Sequence, residues 1–229
     1  MLRRMFPGVY EGWLVVGSSA FTVLLIGASF FYGFGTIFNE VIAEFGWSVA
    51  ATSLAFSLRS EVGGLAAPFV GTLIDRLGAR KVILGGIVLS AIGVFLMSAI
   101  QEIWHFYAVM IVIAFGASAA GGQVGLAAIA TWFEVRRASA MSVMTLGGGL
   151  GGLLVVAIAW LVEAFGWREA LRVLALVMLT AGILAGFQIR SRPDDHHQPM
   201  DGRRYYDAVG GEVAPVAKWG IPWRIAIRT

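Results

Sequence analysis

The chain has 229 residues, of which 58% are hydrophobic and 14% charged, with a mean hydropathy of +0.79. That apolar share is too high for a water-soluble domain, and the lack of cysteine excludes disulfides and thiolate metal sites. Lysine and arginine number 17 against 14 acids, a net charge of +3 with a pI near 9.6, so the position of those charges decides what the basic balance means.

A bilayer core of about 30 Å takes roughly 20 apolar residues per helical span. Six segments qualify, at about 13–38, 48–73, 82–100, 105–131, 140–162 and 171–189. The first, from Gly12 to Phe38, exceeds the roughly 7–15 residues of a signal-peptide core and is read as a retained span. Residues 1–190 are thus an all-α membrane bundle. Residues 191–229 read as a polar linker ending in Trp219-Gly-Ile-Pro-Trp223, the approach to a further span.

With six spans, both termini share one side of the membrane. Arg3, Arg4, Arg76, Arg80, Lys81, Arg136, Arg137, Arg190 and Arg192 all fall there, and the other side keeps Arg168 and Arg172. The positive-inside rule makes the rich side cytoplasmic, in the cell (inner or plasma) membrane. The high pI then reflects topology and attraction to anionic lipid, not nucleic-acid binding. Trp13 and Trp132 fall at inner ends of spans, and Trp47, Trp104, Trp160 and Trp167 at or near outer ends, as interfacial belts do.

Glycines recur at spacing four in Gly121/Gly125, Gly147/Gly151, Gly148/Gly152 and Gly182/Gly186, which stacks small residues on one helix face and lets backbones approach in lipid. The run Gly147 to Gly152 also weakens its helix and permits bending. It lies within a span, so it is not a phosphate-binding loop.

Two ionisable residues fall at membrane depth in the second span, Arg59 and Glu61. Such groups cost several kcal/mol and line a cavity or pair within protein. Two residues along a helix is about 200°, so they point to nearly opposite faces rather than to each other. Arg59 either binds a substrate anion or braces the bundle. Glu61 is read as a group that exchanges protons or opposes the substrate, against a purely structural polar network for both. Gln123 in span four is a further cavity-facing position or interhelical glue, and His105 is an interfacial residue. Enzyme chemistry finds no support: no His-Glu-x-x-His and no serine nucleophile elbow occur, and His196-His197 lie in the polar linker. No cofactor or metal is expected.

Between spans two and three, Gly71, Asp75, Arg76, Gly78, Arg80 and Lys81 match a glycine, three residues, Asp-Arg, one residue, glycine and basic residues. This resembles the signature loop of the major facilitator superfamily of transporters. Trp132-Phe-Glu134-Val-Arg136-Arg137, Glu44-Phe-Gly-Trp47 and Phe165-Gly-Trp167-Arg168 are similar to its monocarboxylate and oxalate–formate branches. The arginine that many members carry in span four has no counterpart between Phe115 and Ala130, so no proton-coupling role is carried over to that span.

The resemblance implies a three-plus-three inverted-repeat bundle of six helices, half of a twelve-span fold. It implies secondary transport of a small solute, most readily an organic anion such as a monocarboxylate, by proton symport or exchange. In that fold the signature loop latches one conformation, with Asp75 capping a neighbouring helix and the basic residues pairing with acids such as Glu134, and Glu61 faces the central cavity. The chain is then a truncated product, a half that pairs with a separate second half, or a half that dimerises with itself. A membrane interaction module without transport is the competing class.

Overall fold

Small and capping residues at the ends of apolar runs set where the helices start and stop. In a computed structural model of the chain, residues 10–189 and Met200 are described. Arg3, Arg4, Arg190 and the linker expected over 191–229, Met200 apart, lie outside the described residues. Every regular element among the described residues is helical.

Helix α1 (Glu11–Ile26) continues through a π-helical turn (Gly27–Tyr32) into α2 (Phe34–Phe45), making one broken span. Helix α3 (Val49–Leu77) starts at Ser48, whose hydroxyl accepts the Ala51 N–H at 3.2 Å. It stops at Gly78, which takes φ 82°, a conformation that a side chain resists. Helix α4 (Ala79–Met97) is the third span, and α5 (Ile103–Ala120) with α6 (Gly122–Trp132) is the fourth, broken at Gly121. Helix α7 (Arg137–Leu150) passes through a 3-10 turn (Gly151–Leu153) into α8 (Leu154–Phe165), and α9 (Trp167–Gly186) is the sixth.

Five of these six units are long and apolar enough to cross a membrane. The remaining one, α3, has the length at 29 residues, and its apolar character is diluted by Arg59, Glu61, Asp75 and Arg76. Trp104 and Trp160 are 71% and 61% exposed, as belt residues are. Trp132 and Trp167, expected in the same belts, are instead buried. Trp132 packs edge-on against Tyr10, and the Trp167 indole N–H is taken by a carboxylate.

The strongest packing joins α4 to α5, α3 to α5, α4 to α9 and α1 to α7. In terms of spans, one packs on five, two on four, and three on four and six. Exchanging one with four, two with five and three with six turns the one–five pair into the four–two pair and returns three–six to itself. The three–four pair maps onto a weaker one–six pair, so the exchange is approximate, as in an inverted three-plus-three repeat.

Lipid tails compete equally for apolar side chains, so close van der Waals contact holds such pairs together. A Cβ added at Gly147 would run into the Ala20 backbone, at Gly86 into Ala119 and Ala120, and at Gly116 into Ser90. Gly149, two residues from Gly147, has nothing within 4 Å of that position. Gly147→Leu is therefore expected to force spans one and five apart and to cost about 1–3 kcal/mol. Gly149→Ala should be neutral, and thermal melting of the purified protein in detergent reads both.

Candidate functional site

Arg59 lies about 15 Å along α3 from its start, at about 1.5 Å per residue, and is only 5% exposed. Its guanidinium carbon is 4.6 Å from the ring centre of Phe56 and 5.0 Å from that of Phe31. Phe34 stacks on Phe56 at 4.9 Å, so a ring of span one and a ring of span two, itself braced from span one, hold the arginine. Such contacts are worth about 2 kcal/mol or more when desolvated. They do not replace hydrogen bonds. Arg59 Nε is buried without a partner, and no carboxylate among the described residues pairs with the guanidinium.

The arginine faces a cavity of about 680 Å³ between spans one, two, four and five. Tyr32, Ser60, Ser118 and Gln123 supply its other polar lining, glycines supply much of the wall, and Arg59 is the one charged lining residue. The Ser118 hydroxyl donates to the Gly63 carbonyl at 3.2 Å, tying span four to span two beside it. The cavity thus brings together Arg59 and Gln123. Glu61 is exposed and does not line the cavity, as the angle between the two residues requires.

Both helix breaks of spans one and four open onto this cavity, through Gly27 and Tyr32 and through Gly121 and Gly122. They are built differently. In span one the Gly33 N–H reaches the Ala28 carbonyl at 2.7 Å and the Thr36 hydroxyl donates to the Gly33 carbonyl at 2.6 Å, so the turn closes on itself. In span four Gly121 is extended, with φ −76° and ψ −178°, and α6 begins without a side-chain cap. Sequence reasoning missed these breaks, having read Gly121 as one of a packing pair; the adjacent glycines Gly121-Gly122 were the available signal.

The basic motif forms the tight turn between α3 and α4. The Gly78 N–H donates to the Ile74 carbonyl at 2.8 Å. Asp75 and Arg76 are exposed on the last turn of α3, Arg80 and Lys81 on the first of α4, and Gly71 lies inside α3. Arg80 lies over the Phe187 ring at 5.4 Å. Glu134 and Arg136 occupy the α6–α7 connection, and Arg137 reaches back to the Ala130 carbonyl at 3.1 Å. Among the described residues Asp75 caps no helix and Glu134 forms no ion pair.

The sequence profile of the Major Facilitator Superfamily matches residues 19–228. The chain belongs to the major facilitator superfamily. Monocarboxylate transporter 13 of Rattus norvegicus is 29% identical over 170 residues, 73% of this chain and 39% of that protein. Monocarboxylate transporter 14 of Homo sapiens is 31% identical over 183 residues, 76% of this chain and 34% of that protein. A fujikurins efflux protein of Gibberella fujikuroi is 32% identical over 126 residues, 55% of this chain and 27% of that protein. The matched region thus spans well under half of the length of these curated relatives. They are transport and efflux proteins, not enzymes.

In this superfamily bundle the end opposite the signature loop is closed by a clasp. Arg168, at the start of α9, donates from Nη1 to the Ser98 and Ile100 carbonyls at 3.0 and 3.2 Å, and from Nη2 to Glu44 Oε1 at 2.6 Å. The Trp167 indole N–H donates to Glu44 Oε2 at 2.6 Å, and the guanidinium lies 4.4 Å from the Trp167 ring centre. Two motifs far apart in sequence, around Glu44 and around Trp167-Arg168, are therefore one structural unit joining spans one, three and six. Arg172 and Glu169 pair within one exposed helical turn. Exposed pairs of this kind contribute about 0.2–1 kcal/mol. Arg168→Ala should cost more, about 1–3 kcal/mol, because it also strands two carbonyls and the Glu44 carboxylate. Denaturation of the two variants Arg168→Ala and Glu169→Gln in detergent compares the two directly.

Proposed function

We propose that this bundle is the first half of a secondary transporter for a small organic anion, such as a monocarboxylate, moved by proton symport or exchange. The observation that carries this reading is Arg59, a buried cation without a carboxylate partner among the described residues, facing a cavity whose described lining holds no acid. An uncompensated charge in a low-dielectric interior is costly, and an arriving anion relieves that cost while using the geometry a guanidinium offers to a carboxylate. The cavity's volume suits a small solute. One cation and otherwise apolar or neutral walls favour a monoanion, and two of the named relatives are monocarboxylate transporters by name.

The site is completed by a second six-helix half or a second copy of the chain. On α3, Leu54, Glu61, Leu65, Pro68 and Phe69 are all exposed, and span five is also poorly covered, with Leu146, Leu153 and Val156 all more than 60% exposed. A carboxylate among exposed apolar residues is expensive against lipid, so the Glu61 stripe is assigned to the partner half, and Glu61 to proton exchange at that seam. The signature-loop end, rich in arginine, is assigned to the cytoplasm.

In proteoliposomes holding the full chain, Arg59→Gln should lower saturable carboxylate uptake at least tenfold, with Arg59→Lys retaining part of it. Uptake equal to wild type in Arg59→Gln would remove the anion reading. Glu61→Gln should abolish the acceleration of uptake by an inward proton gradient while leaving counterflow exchange intact. Undiminished gradient response in that variant rules out its proton role.

A further inference from the structure

The break in span four leaves a second anion-binding element beside Arg59. Helix α6 runs for 11 residues from Gly122, and its N-terminus opens into the same cavity, where Gly121, Gly122 and Gln123 all line the wall. The first backbone bond across the break is from the Gly125 N–H to the Gly121 carbonyl at 3.4 Å. The N–H groups of Gly122, Gln123 and Val124 therefore have no intrahelical acceptor, and Gly121 has no side chain with which to cap them. The positive end of the helix dipole adds to those donors.

A helix terminus alone says little. Here the independent observation is Arg59, only 5% exposed and with an unpartnered Nε, lining the same cavity. The break in span one opens onto the cavity too, but there the Gly33 N–H is taken by the Ala28 carbonyl and the Thr36 N–H and hydroxyl both bond the Gly33 carbonyl. The two repeats therefore differ at the one place where span four needs an acceptor.

We propose that the substrate's carboxylate is held in two parts, by the Arg59 guanidinium from span two and by the backbone N–H groups at the start of α6, with the Gln123 amide beside them. This rests on the anion reading above and adds to it the structural reason for the span-four break. The site requires a compact oxyanion. A neutral isostere of the same shape leaves both the arginine and the helix terminus unsatisfied.

The backbone donor can be removed without disturbing the helix. Gly122 is the first residue of α6, the position where proline is best tolerated, and extended Gly121 has the conformation that a residue before proline prefers. An added Cβ at Gly122 meets nothing closer than the Met144 methyl at 3.8 Å, so Gly122→Ala is a fair control that keeps the N–H. Equilibrium binding of radiolabelled benzoate to the full chain in nanodiscs, with unlabelled benzamide as the neutral competitor, reads the site. Gly122→Pro should bind about tenfold more weakly than Gly122→Ala, which keeps the N–H, as expected for one charge-assisted hydrogen bond. Benzamide should not compete.

If Gly122→Pro binds as wild type does while Arg59→Gln does not, the helix terminus is overturned and the Arg59 reading stands. If wild type shows no saturable binding, or Arg59→Gln binds equally well, both fall. Should Gly122→Pro fail to fold, the wild-type protein labelled with 15N-glycine decides. A downfield shift of the Gly122 amide proton that saturates with benzoate supports the proposal, and an unmoved resonance overturns it. Absence of the Gly122 peak in Gly122→Ala assigns it.

Discussion

Hydrocarbon offers no hydrogen bonds, so a membrane protein must satisfy its backbone internally or confine unsatisfied groups to one protein-lined space. The rest of this structure follows from that constraint. Unbroken helix would satisfy it everywhere, yet spans one, four and five are each interrupted at depth. The span-one and span-four interruptions open onto the cavity that holds Arg59. Irregular backbone and the buried charge share one site because neither is tolerable against lipid.

The cavity exists at that place because glycines elsewhere pull the spans together. Gly147 brings span five onto the backbone of span one, while Gly86 and Gly116 bring spans three and four into contact. Where glycines instead face the cavity, as at Gly63, Gly64 and Gly122, they widen it. The same residue type therefore serves opposite ends, and its effect depends on which face of the helix is turned to a neighbour.

The two ends of the bundle are held differently. At one, Arg168 and Trp167 bind Glu44 and the carbonyls after α4, fixing three spans. At the other, the signature-loop charges are largely exposed, the Tyr10 hydroxyl donates to the Trp132 carbonyl at 2.9 Å, and Arg80 lies over Phe187. The clasp at the first end keeps its three spans together as a body.

The sequence by itself determined the all-helical membrane class and the superfamily, because both rest on local quantities. Apolar run length and the spacing of glycines, Asp75-Arg76 and basic residues in the signature loop can be counted along the chain. It also separated Arg59 from Glu61, since the angle between them follows from helix geometry. Only the tertiary structure decided that Arg59 has no acid partner among the described residues, that Gln123 shares its cavity, and that Gly121 breaks a helix instead of packing one. It also turned Trp132 and Trp167 from lipid-facing to buried, and made one clasp of two distant motifs. Those outcomes depend on which faces of different spans meet, and residue spacing within one helix cannot specify its neighbour.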